Sequence, residues 1–301
     1  MPSLPFVTLD VFTTERFKGN PLGLVKVPQG HDLATEQMQM IAREFNLSES
    51  VFLHEGVKGK DGVMEWKVRI FMTDAELPFA GHPTIGMACY ALGTLANNAS
   101  KGRLLCKAGP IEVDFDGTRA KCAIPHNVHI HKQTKFTDAE VYDLQPSLRK
   151  AGTPKAIDVV SPVKGMNFIC VELPELEALA AVQLSAKTKA RLDDDWNIGF
   201  IGSYFYVVMH DKDERMEIRT RMIEGSLEDP ATGSAACALS AYLSLRHKRR
   251  STSFVIFQGV EMGRKSDIGV DIKLTESLDA VEKVELSGSA IKVMEGTIDY
   301  D

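Results

Sequence analysis

Two short turns and one isolated acid hold the polar side chains best suited to moving a proton. The first turn is Phe79-Ala80-Gly81-His82-Pro83-Thr84, and the second is Asp229-Pro230-Ala231-Thr232-Gly233-Ser234. Each follows a strand-like run and leads into an apolar, helix-like run. A helix that starts there presents unpaired backbone N–H groups and the positive end of its dipole, a field that suits a small carboxylate. Pro83 fits a first helical position, which would put His82 in the N-cap slot. Thr232 occupies the matching slot of the second turn and is a good cap. Gly81 and Gly233 let a ligand approach the backbone closely. Either turn alone also reads as a well-formed helix start and nothing more. A pair of them, carrying different polar residues, favours a site.

The isolated acid is Glu49, in Asn46-Leu47-Ser48-Glu49-Ser50, between a helical run and a strand. Apolar flanks suggest partial burial, which would raise its pKa toward neutrality and suit it to proton transfer. The other reading is a solvated junction carboxylate. Asp229 is either a second site acid or a turn former.

The elements that must position these groups can be read from periodicity. Strands are expected at Phe6–Phe12, Leu22–Val27, Ser50–His54 and Met64–Met72, with a turn at Lys18-Gly19-Asn20-Pro21. A helix capped by Asp32 is expected over Leu33–Asn46, with Met38, Ile41, Ala42 and Phe45 on one face. Pro83 opens an apolar helix to about Ala96, and Leu104–Lys107, Ile111–Phe115 and Ala120–Ile124 read as a meander. This is α+β, antiparallel strands with inserted helices rather than βαβ repeats. At an offset of 150 the chain repeats itself: Val68-Arg69-Ile70-Phe71-Met72 faces Ile218-Arg219-Thr220-Arg221-Met222, and in both copies strand, loop, small-residue turn and apolar helix follow in order. The expected division is a lobe of residues 1–125 with 286–301 and a lobe of 126–285. His126–Gln133 reads as the solvated linker between them.

These strings identify a family. Gly19-Asn20-Pro21, Asn46-Leu47-Ser48-Glu49-Ser50, Glu76-Leu77-Pro78-Phe79-Ala80-Gly81-His82-Pro83-Thr84, Glu228-Asp229-Pro230-Ala231-Thr232-Gly233-Ser234-Ala235, and Gln258-Gly259 with Gly263-Arg264 resemble the phenazine-biosynthesis PhzF-like family, in order along essentially the whole chain. The resemblance implies the diaminopimelate-epimerase fold: two pseudo-symmetric lobes, each a mostly antiparallel sheet wrapped around a central helix, with the active site between them. It implies that Glu49 is the acid/base and that His82, Gly81, Asp229 and Ser234 line the pocket; His82 and Asp229 are placed in the catalytic set, and Thr232 and Gly233, from the turn itself, with the substrate-binding residues. Asn20, from the first string, is placed with the binding residues. It also implies a homodimer. Epimerases of this fold use two cysteines, one at the start of each turn. The aligned positions here are Ala80 and Pro230, so a two-thiol racemase is not expected. The implied reaction is a cofactor-independent isomerisation, in which one carboxylate moves a proton between carbons of a small carboxylic acid. The alternatives are a non-catalytic small-anion-binding protein on the same fold, or an epimerase working without the two-cysteine mechanism.

Composition excludes several other classes. The chain has 301 residues, 44% hydrophobic and 25% charged, with net charge −6. Its only dense basic run, Arg246-His247-Lys248-Arg249-Arg250, follows an apolar helix and reads as a C-terminus complementing the dipole, so no nucleic-acid partner is expected. No run of about 18 apolar residues suggests a membrane partner. Five scattered cysteines without a CxxC pair, and an N-terminus lacking a signal-peptide core, lead us to expect a reducing, cytoplasmic setting. His126-Asn127-Val128-His129-Ile130-His131 puts two histidines on one strand face, but two ligands do not make a tetrahedral site, and no metal is expected. There is no P-loop, GxGxxG after a strand, or GxSxG elbow, and no cofactor is expected.

Overall fold

The computed structural model describes residues 2–133, 136–186 and 188–300; Met1, Thr134, Lys135, Lys187 and Asp301 of the two expected lobes lie outside it. Its contacts gather the chain into two compact units, Met1–Ala123 with Ser287–Asp301, and Ile124–Leu286.

The first unit runs β1 (Ser3–Val11), β2 (Asn20–Val27), α1 (Thr35–Phe45), β3 (Ser50–His54), β4 (Val57–Lys58), β5 (Met64–Phe71), β6 (Glu76–Leu77), α2 (Gly81–Tyr90), β7 (Lys101–Cys106), β8 (Gly109–Phe115) and β9 (Arg119–Ala123). The chain re-enters this unit at its end, along the final strand, Val281–Asp299. Pairing closes a ring: the final strand with β1, β1 with β2, β2 with β3, β3 with β5, β5 with β7, β7 with β8, β8 with β9, and β9 back to the final strand. Two of these pairs, β2–β3 and β5–β7, are parallel. The sheet is mostly antiparallel, as expected, but these two crossovers correct the sequence reading that it lacks βαβ units. Each helix inserted between two paired strands carries the chain back to its starting end, so the next strand must enter parallel.

Helix α2 fills this barrel-like sheet. Every residue from His82 to Tyr90 is buried, as befits a helix apolar on all sides. It packs on β1, β2, β3, β7, β8 and β9. Gly86 permits the approach, since a Cβ there would sit 2.6 Å from Leu22 Cδ2 and 2.7 Å from Val11 Cγ2. The helix continues as a π-helical turn, Ala91–Leu95. Helix α1 instead buries one face, Met38, Ile41 and Ala42, against Leu4, Val25, Val27, Phe52 and Phe71. Its N-cap is Ala34 and not Asp32. The Gln37 side chain reaches back to accept the Ala34 N–H at 3.0 Å, which is the half of a capping box that an alanine N-cap allows.

The second unit runs β10 (His129–Ile130), α3 (Asp138–Leu144), α4 (Leu148–Ala151), β11 (Ala156–Val163), β12 (Met166–Glu172), α5 (Leu176–Ala180), β13 (Phe200–Lys212), β14 (Arg215–Glu224), β15 (Leu227–Asp229), α6 (Gly233–His247), β16 (Ser251–Gln258) and β17 (Ser266–Leu274). Its pairs again alternate. β11–β12, β13–β14 and β16–β17 are antiparallel, whereas β12–β13 and β14–β16, joined through α5 and α6, are parallel. Helix α6 is buried at Gly233 and from Ala235 to Ser244. Arg246 and His247 lie in its last turn, as expected of the basic run.

The His126–Gln133 segment is not a solvated linker. His129 and Ile130 pair with Ser161 and Val160 of β11, and His131 is 5% exposed. Trp196 stacks on the His129 ring at 4.6 Å. The His129 Nε2 lies 2.9 Å from Asp193 Oδ2. The Asp193 backbone N–H donates to His131 Nδ1 at 3.1 Å, and His131 Nε2 pairs with Ser161 Oγ at 2.8 Å. The residues that bury these histidines stand some sixty positions downstream, where local reading could not see them. His129, His131 and Asp193 form a group of possible metal-ligand atoms. These hydrogen bonds already engage it, and the two rings serve as packing and struts.

Candidate active site

In the first unit the site forms where α1 ends and α2 begins. Asn46 takes the left-handed conformation (φ 49°), and its N–H caps α1 on Ala42 O and Arg43 O. That turn leaves only three residues before Ser50 enters β3 between β2 and β5. Glu49 is thereby held at the entry of a central strand, where its side chain is 19% exposed. Helix α2 has Ala80 as its N-cap, with no side-chain cap, so Gly81 and His82 are its first two residues. His82 does not cap the helix as the sequence suggested. Pro83 stands third, where its missing N–H costs the helix nothing, because the first intrahelical bond is Thr84 N–H to Ala80 O at 3.2 Å.

This position brings the buried His82 ring to Glu49, with Nδ1 at 3.2 Å from Oε2. An ionised carboxylate only accepts, so Nδ1–H is the donor. His82 Nε2 is buried and has no partner among the described residues. Burial pushes the Glu49 pKa up, but the His82 charge and hydrogen bonds from His82 and Ser48 outweigh it and leave the carboxyl below its ordinary value. The expected rise toward neutrality is thus corrected. The acid is desolvated, but it has acquired partners that stabilise its charged form. Glu49 rests as a carboxylate, a base before it is an acid. Asn20 is buried at the start of β2, opposite Val11 of β1.

In the second unit the matching turn begins at β15. Asp229 ends that strand opposite Met222. Thr232 is the N-cap of α6, followed by Gly233 and Ser234 as the first helical residues. Its hydroxyl does not cap the helix. It donates instead to Asp229 Oδ2 at 2.6 Å, while the Ala231 N–H approaches Asp229 Oδ1 at 3.3 Å. Gln258 Nε2 donates to the Asp229 carbonyl at 2.8 Å and to Thr232 Oγ1 at 3.0 Å. Ser266 Oγ donates to the Pro230 carbonyl at 2.8 Å.

The two turns correspond at an offset of 152 and not 150. Arg69 clamps Glu76 bidentately, Nε–Oε1 2.8 Å and Nη2–Oε2 2.9 Å; Arg221 clamps Glu228 in the same way, both contacts 2.8 Å. Phe71 faces Glu76 in one hairpin, and Ile223 faces Glu228 in the other. Gly81 then matches Gly233, and His82 matches Ser234. The position equivalent to Ala80 is Thr232, which corrects Pro230. Neither helix start bears a thiol; Cys89 and Cys237 are buried within the helices, and burial pushes the Cys89 pKa up to about 11. The seven-residue Arg–Glu spacing in both turns was the signal that would have given this register from sequence. Gln258 and Tyr204 were missed as site residues. Tyr204 lies in an unremarkable strand, and Gln258 stood only as part of a recognition string.

The described residues contain no helix long and apolar enough to cross a membrane, which says nothing of β-barrel spans. Comparison with known proteins agrees with the string-based reading. The chain is 32% identical over 331 residues to an uncharacterized isomerase of Mesorhizobium japonicum, covering 99% of each chain. It is 31% identical over 305 residues to the trans-2,3-dihydro-3-hydroxyanthranilate isomerase of Pseudomonas aeruginosa, covering 97% of this chain and 98% of that one. Its fold is similar to that of the Bacillus anthracis phenazine biosynthesis protein of the PhzF family, with TM-score 0.73 at 19% identity and 99% of each chain covered. The family model described as phenazine biosynthesis-like protein matches residues 9–296, and the chain belongs to that family.

Proposed function

We propose that this protein moves a proton between two carbons of a small unsaturated carboxylic acid, with Glu49 as the single acid/base and no cofactor. The chain is an isomerase, as its relatives are. The observation that carries the mechanism is the Glu49–His82 pair, a carboxylate ionised at rest and aimed by a buried ring. Glu49 takes a proton from a carbon acidified by neighbouring unsaturation and returns it to another carbon, so the double bond migrates. His82, Asp229 and Ser234 orient the polar groups of the substrate, and the uncapped starts of α2 and α6 steady the negative charge that develops. Gly81, Thr232, Gly233 and Asn20 shape the pocket. This reading takes the chain as duplicated, with pseudo-symmetric lobes of residues 1–125 with 286–301 and of 126–285. It takes the protein to be a cytoplasmic homodimer. By analogy with the relative's named activity, the substrate class is a cyclohexadiene carboxylate bearing hydroxyl and amino groups, such as trans-2,3-dihydro-3-hydroxyanthranilate.

The test is turnover of that compound followed by NMR, in wild type and Glu49→Gln. The variant should lose about 10²–10⁴-fold or more in rate, the worth of a positioned acid/base, while its melting temperature stays near wild type. A Gln variant that isomerised the compound at the wild-type rate would remove Glu49 from the mechanism.

A further inference from the structure

One side chain of the second unit reaches the Asp229 turn from beneath it. Gln258, the last residue of β16, is fully buried, yet every polar atom of its amide is engaged. The direction of each bond follows from one fixed point. The Asp229 carbonyl can only accept, so the atom 2.8 Å from it is Nε2. The second Nε2 hydrogen goes to Thr232 Oγ1 at 3.0 Å. The other amide atom is then Oε1, which accepts from the Tyr204 hydroxyl at 3.0 Å. Tyr204 is itself fully buried, and burial holds its phenol protonated. With a lone pair of Thr232 Oγ1 occupied by Gln258, its own hydrogen is directed to Asp229 Oδ2 at 2.6 Å. The donors run one way, Tyr204 to Gln258 to Thr232 to Asp229.

We infer that Gln258 is a positioning residue that acts through Thr232 to fix the orientation of the Asp229 carboxylate and keep it ionised. Its place in the reaction rests on the reading that Asp229 contacts substrate. Gln258 itself contacts the turn and Tyr204, and it reaches the carboxylate only through Thr232. The replacement that separates this role from simple core filling is Gln258→Glu. A carboxyl oxygen facing Thr232 and the Asp229 carbonyl carries at most one hydrogen where the amide carries two. The carbonyl claims that one, and Thr232 must turn its hydroxyl away from Asp229 to the new oxygen. A carboxylate that loses a hydrogen bond to its charged form gains a proton more readily. Cys170 and Cys237, which act with Asp229 on Tyr204, are both buried thiols.

The experiment is a ¹³C NMR titration of the Asp229 carboxyl, assigned by difference from Asp229→Asn, in wild type, Gln258→Glu, Thr232→Val and Thr232→Ser. The Asp229 midpoint should rise by about one unit or more in Gln258→Glu and in Thr232→Val. It should stay at the wild-type value in Thr232→Ser, which restores the hydroxyl, and rise no further in the Gln258→Glu/Thr232→Val double variant. In wild type the Gln258 Nε2H₂ resonance should shift with the same midpoint as Asp229, a reading that holds even if Gln258→Glu fails to fold. An unmoved Asp229 midpoint in either folded single variant, summed shifts in the double variant, or a Gln258 resonance blind to Asp229 would overturn the inference. Wild-type turnover by Asp229→Asn would instead remove the functional reading and leave these titrations standing.

Discussion

Replacing Arg221 with methionine should destabilise the second unit far more than the same change at Arg69 destabilises the first. The two arginines hold equivalent hairpins with equivalent geometry, so the comparison turns on burial and on the other partners of each pair. Arg221 and Glu228 are 9% and 10% exposed, against 21% and 17% for Arg69 and Glu76. Arg221 also donates through Nη1 to the carbonyls of Val182 at 2.6 Å and Leu179 at 3.1 Å, which end α5. Methionine fills similar space but leaves Glu228 as a buried carboxylate without its partner and takes one donor from each of those carbonyls, of which Leu179 O keeps the Val182 N–H. Breaking one side of a buried pair costs about 3–5 kcal/mol. At Arg69 the carboxylate keeps Lys107, 3.7 Å from Glu76, and has more water, so a cost of about 1–2 kcal/mol is expected. For a unit of this size, about 2–4 °C per kcal/mol gives a fall of roughly 6–20 °C for Arg221→Met and 2–8 °C for Arg69→Met. Differential scanning calorimetry at neutral pH reads both, and Arg221→Met/Glu228→Gln should recover part of the loss by removing the stranded charge. Glu228 precedes Asp229, so turnover should fall with Arg221→Met as well. The reasoning fails if Arg221→Met lowers the melting temperature no more than Arg69→Met does.

Two further outcomes follow from the site. The depressed Glu49 pKa places the acid limb of kcat/KM below 4.5, the ordinary glutamate value. By linkage, the stability contributed by the Glu49–His82 pair is complete above that value and disappears as pH falls through the lower folded-state pKa; melts from pH 3 to 7 should show wild type and Glu49→Gln converging in acid, and a gap that widened there would contradict the pairing. Gly259→Ala should cost well over 1 kcal/mol, because φ is +70° and the added Cβ would lie 2.6 Å from Arg264 O and 2.7 Å from Pro230 O. Gly263→Ala, with φ +79° and nothing within 4 Å, carries only the backbone penalty of about 1–2 kcal/mol; urea unfolding that ranked the two equal would show that the Pro230 contact yields freely.

Much of this architecture was legible because it is written in local signals. The strand before each turn, the small-residue turn and the apolar helix are where the sequence placed them, and the basic run does end α6. What failed was whatever depended on a distant partner. The proline rule put the start of α2 two residues late, and aligning Val68–Met72 with Ile218–Met222 put the repeat register at 150, where the Arg–Glu clamps set it at 152. Glu49 was rightly seen as partly buried, but its ionisation was set by His82, thirty-three positions on. The histidines at 129 and 131 looked solvated because Trp196 and Asp193, which enclose them, come from a later loop. Gln258 was recognised without being understood, since the direction of a hydrogen-bond chain exists only once its four members meet.

The ring of the first unit is closed by a strand that the chain makes only after β17. β1 pairs with residues near the C-terminus, from Ser3 opposite Asp299 to Val11 opposite Ala290. During synthesis, the first 123 residues therefore emerge with β1 and β9 both lacking a neighbour. They must wait on the ribosome, or beside it, until the entire second unit has been translated. The usual order, in which the amino-terminal domain folds while the rest is still being made, is unavailable to this protein. Its unpaired strand edges are a hazard in that interval.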